Sequence, residues 1–216
     1  KYFSSKNSYG EAINYYQKTI DKYPFFEVLF CLANCHHNLK NYNTAISMYN
    51  ELLQSNPNNT NLLYDLGNCH LACDHTNSAI EAFNSILENS NTDNDYKALC
   101  SLGLISKDHF DLDKAQEYLT QSLKLNPENF EAQNNMGIIF IEKYQYKEAI
   151  KFFKKAINCN QNAVEPLINL GAALAKEDLY IDSLDVLIKA IKINPNIPEA
   201  HANLSGVYNA LKKHKD

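Results

Sequence analysis

One pattern of small and large apolar residues recurs along this chain at an interval of about 34 residues, and it limits the architecture more than any single segment does. It is clearest over 130–161, FEAQNNMGIIFIEKYQYKEAIKFFKKAINCNQ, where Gln133, Met136, Gly137, Phe140, Ala149, Phe153 and Gln161 occupy the marker places. One period later the same places hold Leu167, Leu170, Gly171, Leu174, Ser183, Leu187 and Pro195. Earlier periods hold Leu99, Leu102, Gly103, Ser106, Ala115, Leu119 and Pro127, then Leu63, Leu66, Gly67, His70, Ala79, Phe83 and Asn91. The first full set is Leu29, Leu32, Ala33, His36, Ala45, Tyr49 and Pro57. This register defines five complete units, 26–59, 60–95, 96–129, 130–163 and 164–197.

The markers follow W-x2-L-G-x2-Y, then A-x3-F, then P, and over nearly its whole length the chain resembles the tetratricopeptide repeat family. The resemblance implies an all-α fold, a right-handed α-solenoid of helix-turn-helix units, with 1–216 as a single array. Ala12, Tyr16 and Pro24 match the second half of a unit over 8–25, and His201, Leu204, Ser205 and Tyr208 match the first helix of a further unit over 198–216. Both ends thus fall inside the pattern, so the chain is expected to be a piece of a longer repeat protein. Only the polar run SNTDND, 90–95, lengthens a link, and it is expected to be a loop between repeats.

Elementary packing explains the markers. A helical Gly costs roughly 1 kcal/mol against Ala, so Gly67, Gly103, Gly137 and Gly171 imply places where a second helix comes close. Ala79, Ala115 and Ala149 are the small residues facing them, while Tyr49, Phe83, Leu119, Phe153 and Leu187 fill the space between units. Asn-Pro pairs at Pro57, Pro127 and Pro195 are expected to end the second helices, because a residue before Pro avoids the α region. No such unit buries its apolar face alone, so stability has to come from stacking.

Function follows mostly by elimination. The net charge is -5, which argues against nucleic acid as the partner. No apolar run is long enough to span a membrane, so no membrane insertion is expected. The terminal KKHKD run reads as a solvated helix end. Cys31 and Cys35, like Cys69 and Cys73, are spaced four apart instead of in the tight knuckle of a zinc site, and they read as core. Unpaired thiols point to a reducing, cytoplasmic setting, with the nucleus or a cilium as variants. His36 and His70 replace the motif Tyr and are expected between helices, whereas His37, His75, His109 and His214 read as turn or end residues. There is no nucleophile elbow and no Gly-rich phosphate loop. The expectation is therefore no catalytic residue, no metal and no cofactor.

Binding remains, and in the family the first helix of each unit lines the concave face. The residue two places before the Gly slot reads Cys31, Asp65, Ser101, Asn135, Asn169 and Asn203, and four earlier it reads Glu27, Asn61, Lys97, Glu131, Glu165 and Glu199. Asn135, Asn169 and Asn203 resemble the Asn ladder of O-linked N-acetylglucosamine transferase, where amides hold the backbone of an extended peptide. An amide both donates and accepts, so it pairs with any peptide unit. Glu131, Glu165 and Glu199 sit in first turns, where the helix dipole favours carboxylates, and they would also favour a basic segment. Ile138, Ile141 and Leu104 supply apolar floor, and Phe30, Tyr64, Asn34 and Asn68 make an aromatic and amide strip in the N-terminal half. A clamp for chaperone EEVD tails needs Lys, Asn and Arg in three successive units, and the sequence contains no Arg.

The expected function is a non-catalytic scaffold that binds a protein or an extended, neutral-to-basic peptide within a larger complex. The alternatives are the substrate-recognition arm of an enzyme such as a protein O-GlcNAc transferase, and a self-associating repeat segment.

Overall fold

A computed structural model describes residues 6–20, 26–88 and 92–213. Pro24, Asn91 and His214, read above as part of the pattern, lie outside the described residues. Among the described residues there are twelve helices and no strand. They are α1 (Lys6–Ile20), α2 (Phe26–Asn38), α3 (Tyr42–Ser55), α4 (Thr60–Ala72), α5 (Thr76–Glu88), α6 (Asp95–Asp108), α7 (Leu112–Leu125), α8 (Phe130–Glu142), α9 (Tyr146–Cys159), α10 (Val164–Lys176), α11 (Tyr180–Ile193) and α12 (Pro198–Lys213). The fold is an all-α helical-repeat solenoid, in two compact units, Lys1–Leu102 and Gly103–Asp216.

From α1 to α5 and from α7 to α12 each helix packs on its chain neighbour, and α10 also touches α8 and α12. Links of three residues inside a hairpin leave only an antiparallel arrangement. The tight turns have a common construction. Lys40, Asp74, Phe110, Tyr144 and Asp178 all have φ between 58 and 63°, the left-handed region. In each case the next residue donates its N–H back five residues, as Gln145 does to Phe140 O at 2.8 Å and Leu179 to Leu174 O at 3.0 Å. That is the closure which satisfies the last carbonyls of a helix, and Gly usually supplies it. Here no Gly does, and an aromatic residue in this region stores of order 1–3 kcal/mol of strain.

The links between hairpins are closed by Asn. Asn126, Asn160 and Asn194 follow α7, α9 and α11 with φ between -143 and -135°. Each side-chain oxygen accepts the N–H two residues on, from Glu128 at 3.1 Å, Asn162 at 3.2 Å and Asn196 at 3.1 Å. Asn160 precedes Gln161, so the expectation that Pro ends these helices is incomplete: the Asn side chain gives the same closure with no Pro present. Polar caps start three of the helices, Asn59 for α4, Asp111 for α7 and Asn129 for α8, whereas α10 starts at Ala163 without a side-chain cap. The α5–α6 link is longer than the others, as the polar run implied.

The core follows the repeat. Tyr49, Phe83, Leu119, Phe153 and Leu187 are all fully buried, one per repeat. An added Cβ on Gly137 would lie 2.5 Å from Phe153 Cε1, and one on Gly67 would lie 2.6 Å from Phe83 Cε1. The second helix does come close at these glycines, as the pattern implied, but what meets each of them is the ring of its own unit, expected instead between units, and not the Ala expected to face it. Ala33 holds the same place opposite Tyr49 and is fully buried beside it. Ser183 replaces the motif Ala on α11, and its hydroxyl donates 2.7 Å to Gly171 O, so the polar atom is satisfied in the core.

Candidate functional site

In the second unit α8, α10 and α12 are neighbouring first helices, and the predicted ladder residues lie on them. Asn135 and Asn203 are half-buried, as is Asn169. Glu131, Glu165 and Glu199 are exposed in the first turns of their helices. The residue that joins them is one that sequence reasoning missed. Asn134, buried on α8, donates 3.0 Å to Glu165 Oε1, and its own oxygen accepts from Asn169 Nδ2 at 3.2 Å. One amide thus ties both predicted rows of α10 to α8. It leaves the Asn169 oxygen and one N–H for another molecule.

Ile138 and Ile141 are half-buried and pack against the cluster of Ala149, Ile150, Phe153, Leu170, Ala173 and Leu174. Leu104 is half-buried on α6. Glu142 and Lys176, one per first helix, are exposed, and neither has a hydrogen-bond or ion-pair partner among the described residues. Together α8, α10 and α12 carry four carboxylates, Glu131, Glu142, Glu165 and Glu199, against three lysines, Lys176, Lys212 and Lys213.

The first unit is built differently. Phe30 stacks on Phe26 at a centroid distance of 6.4 Å and packs on the core, and Tyr64 tilts against Phe83 at 5.9 Å. Asn34 accepts 2.6 Å from the Tyr49 hydroxyl, and Asn68 is half-buried. So the strip is partly consumed by internal packing: its aromatic members support the core, and Asn34 satisfies a buried phenol. A relay like that of the second unit runs along the helix starts. Asn94 Nδ2 donates 2.8 Å to Asn61 Oδ1, Asn94 Oδ1 accepts 3.1 Å from Lys97 Nζ, and Lys97 also lies over the Tyr64 ring at 5.6 Å.

Asp65 is the exceptional charge here. Burial pushes its carboxyl above the usual range, with His37 and Lys97 pulling the other way. His37, read from sequence as a turn or end residue, lies in the last turn of α2, where its ring faces those of Tyr42 and Tyr49 at 5.9 and 6.5 Å. A carboxyl raised in the folded state contributes stability while protonated, and that contribution is lost as pH rises through its folded pKa. Asp65→Asn is therefore expected to raise the melting temperature at pH 7, with the gain fading as pH falls toward about 4. A parent chain that melts higher than the variant at pH 7 would show that His37 and Lys97 outweigh burial.

Of the four cysteines read from sequence as core, Cys35 and Cys69 are buried, whereas Cys31 and Cys73 are only half-buried; Cys100 is buried and Cys159 exposed. Burial, with Asp65 and Cys73 nearby, pushes Cys69 up to about 12, and burial and Cys31 also raise Cys35. Such thiols carry little thiolate near neutral pH. His36 and His70 are half-buried, burial holds both imidazoles below their usual value, and His70 Nδ1 is buried without a partner. Among the described residues no group of three or more His, Cys, Asp or Glu converges as a metal site would require, and no helix is long and apolar enough to cross a membrane.

Known proteins agree on the architecture. No curated protein sequence matches the chain significantly. Among solved structures, MamA is 20% identical with a TM-score of 0.64, over 76% of this chain and 95% of its own. A chain of the APC/C hetero-tetramer Cut9-Hcn1 gives 0.79 at 17% identity over 94% of this chain and 40% of that one. YrrB, a TPR protein with an unusual peptide-binding site, gives 0.61 at 21% identity over 87% and 96%. One tetratricopeptide repeat profile matches residues 38–102 and 108–174, and a second matches 2–60. With the profile matches covering most of its length and the paired helices repeating in the same register, this chain belongs to the tetratricopeptide repeat family.

Proposed function

We propose that the chain is a non-catalytic protein-interaction scaffold whose second unit holds an extended, neutral-to-basic peptide across α8, α10 and α12, as one part of a multiprotein assembly. The observation that carries this reading is the Glu165–Asn134–Asn169 relay, which fixes the amides of adjacent helices before any ligand arrives. A fixed amide loses less side-chain freedom on binding than a mobile one. The carboxylate excess on the same helices supplies the preference for Lys or Arg in the ligand.

An acidic chaperone tail fits poorly, because the sequence offers no Arg and Lys97 is already engaged by Asn94. The likeness to the first TPR of Spaghetti (RPAP3) bound to the HSP90 peptide SRMEEVD, 18% identical with a TM-score of 0.53, concerns the fold alone. The six free cysteines favour a reducing, cytoplasmic setting.

Selection of peptides from a random library on the immobilised chain tests the reading. Enrichment of Lys and Arg is expected, and the affinity of the best peptide should fall about tenfold in Asn135→Ala/Asn169→Ala, a loss of about 1.4 kcal/mol. Acid-rich selected peptides, or an affinity unmoved by the double variant, would refute it.

A further inference from the structure

At the turn end of the first helices in the second unit, Phe110, Ile141, Tyr144, Tyr146 and Ala172 line an open cavity of about 570 Å³, with Glu142 and Lys176 at its rim. This lies within the roughly 300–1,000 Å³ of ordinary ligand pockets. Phe110 is 89% exposed and Tyr144 80% exposed. Both rings therefore contribute almost nothing to the core, although an aromatic side chain is among the largest sources of burial a protein has.

Their backbone makes the placement costlier still. Both residues hold the left-handed φ that closes a helix, 61° and 58°, whereas Asp74 and Asp178 hold the equivalent places with short polar side chains suited to it. Two bulky rings, strained and exposed on successive turns, gain nothing for the isolated fold. Strain of this kind persists where function uses it. Tyr146 stands edge-on to Tyr144 at 6.4 Å and 88°, so the pocket has an aromatic wall already in place.

We infer that this pocket seats one large apolar side chain of a bound basic peptide, anchoring it at the turn end of α8 and α10 while Glu142 pairs with a neighbouring Lys or Arg of that peptide. The inference rests on the groove reading above and adds to it the residue class that fixes the peptide's register. Charge decides the occupant. α8, α10 and α12 carry four carboxylates against three lysines, Lys176, Lys212 and Lys213, and a second copy of this chain, with net charge -5, would bring more acid to helices whose own balance is already acidic. A cationic segment meets the opposite sign.

Two fluorescein-labelled probes test it by anisotropy: a Lys/Ser peptide with one central Phe, and the same peptide with Ser in place of the Phe. The Phe probe is expected to bind the parent chain about tenfold more tightly, in line with burial of one apolar side chain. In Phe110→Gly/Tyr144→Gly this preference should vanish with binding of the Ser probe unchanged. The variant should melt no lower than the parent, since Gly accepts the left-handed turn. A preference that survives the variant overturns the anchor and leaves the groove reading intact. Failure of both probes on the parent chain overturns the groove reading itself. Self-association of the parent in sedimentation equilibrium that the variant abolishes would give the pocket to a second copy and also overturn the inference.

Discussion

Phe153→Ala is expected to cost about 3–5 kcal/mol and to lower the melting temperature by about 10 °C. The ring is fully buried, lies against the Gly137 backbone, and belongs to the cluster that joins α9 to Leu170 and Leu174 of α10. Its removal opens a void both between α8 and α9 of its own hairpin and at the junction with α10, and stability in a stacked array depends on both kinds of contact. The damage should therefore be local. Amides of α8 and α9 should exchange with solvent faster than those of the first unit, and hydrogen exchange read by mass spectrometry resolves the two. A loss under about 1 kcal/mol would mean that the neighbours collapse into the void, contrary to a rigidly packed junction.

Gly137→Val should cost about 2–3 kcal/mol for the opposite reason. Its first added carbon would already stand 2.5 Å from Phe153 Cε1, and two methyl groups would follow it into the ring. Better helix propensity returns less than 1 kcal/mol of this. The overpacking, of order 1–3 kcal/mol and sometimes more, prevails. A double-variant cycle makes the cause explicit. In a Phe153→Ala background the same Gly137→Val should become nearly neutral, giving a coupling of about 1–3 kcal/mol. If the two costs simply add, the glycine answers to something other than the ring. The Ala33–Tyr49 pair shows that a single methyl is accommodated at this place in another unit, which is why Val is the sharper probe.

What the sequence made legible was what repeats. Gly137 and Phe153 announce their contact because equivalent pairs recur, and period alone places them on facing helices. Single features stayed hidden. Asn134 carries no marker: it lies one residue before the predicted row, and its value comes from reaching Glu165 and Asn169 of the next hairpin, a distance no local pattern encodes. His37 looked like a helix end because it closes α2, yet its ring turns toward Tyr49. Phe110 and Tyr144 stand in turns that lack the Gly from which a left-handed conformation is read, so neither their strain nor their exposure could be anticipated. The groove residues themselves were placed by family likeness, and three of the four residues of the N-terminal strip serve the interior: Phe30 and Tyr64 against core rings and Asn34 under the Tyr49 hydroxyl.

The Asn closures that follow α7, α9 and α11 make the number of hairpins in this chain a quantity that can change without redesign. Asn126, Asn160 and Asn194 stand at one phase of the repeat and turn the backbone by one side-chain bond that needs nothing from the residue after next but its amide. Excising 127–160 would splice Asn126 directly onto Gln161, and the seam would be chemically the same as the native link from Asn160. Lengthening by duplication obeys the same rule, so copying errors at these junctions yield arrays of altered reach with the ligand-facing wall still in phase.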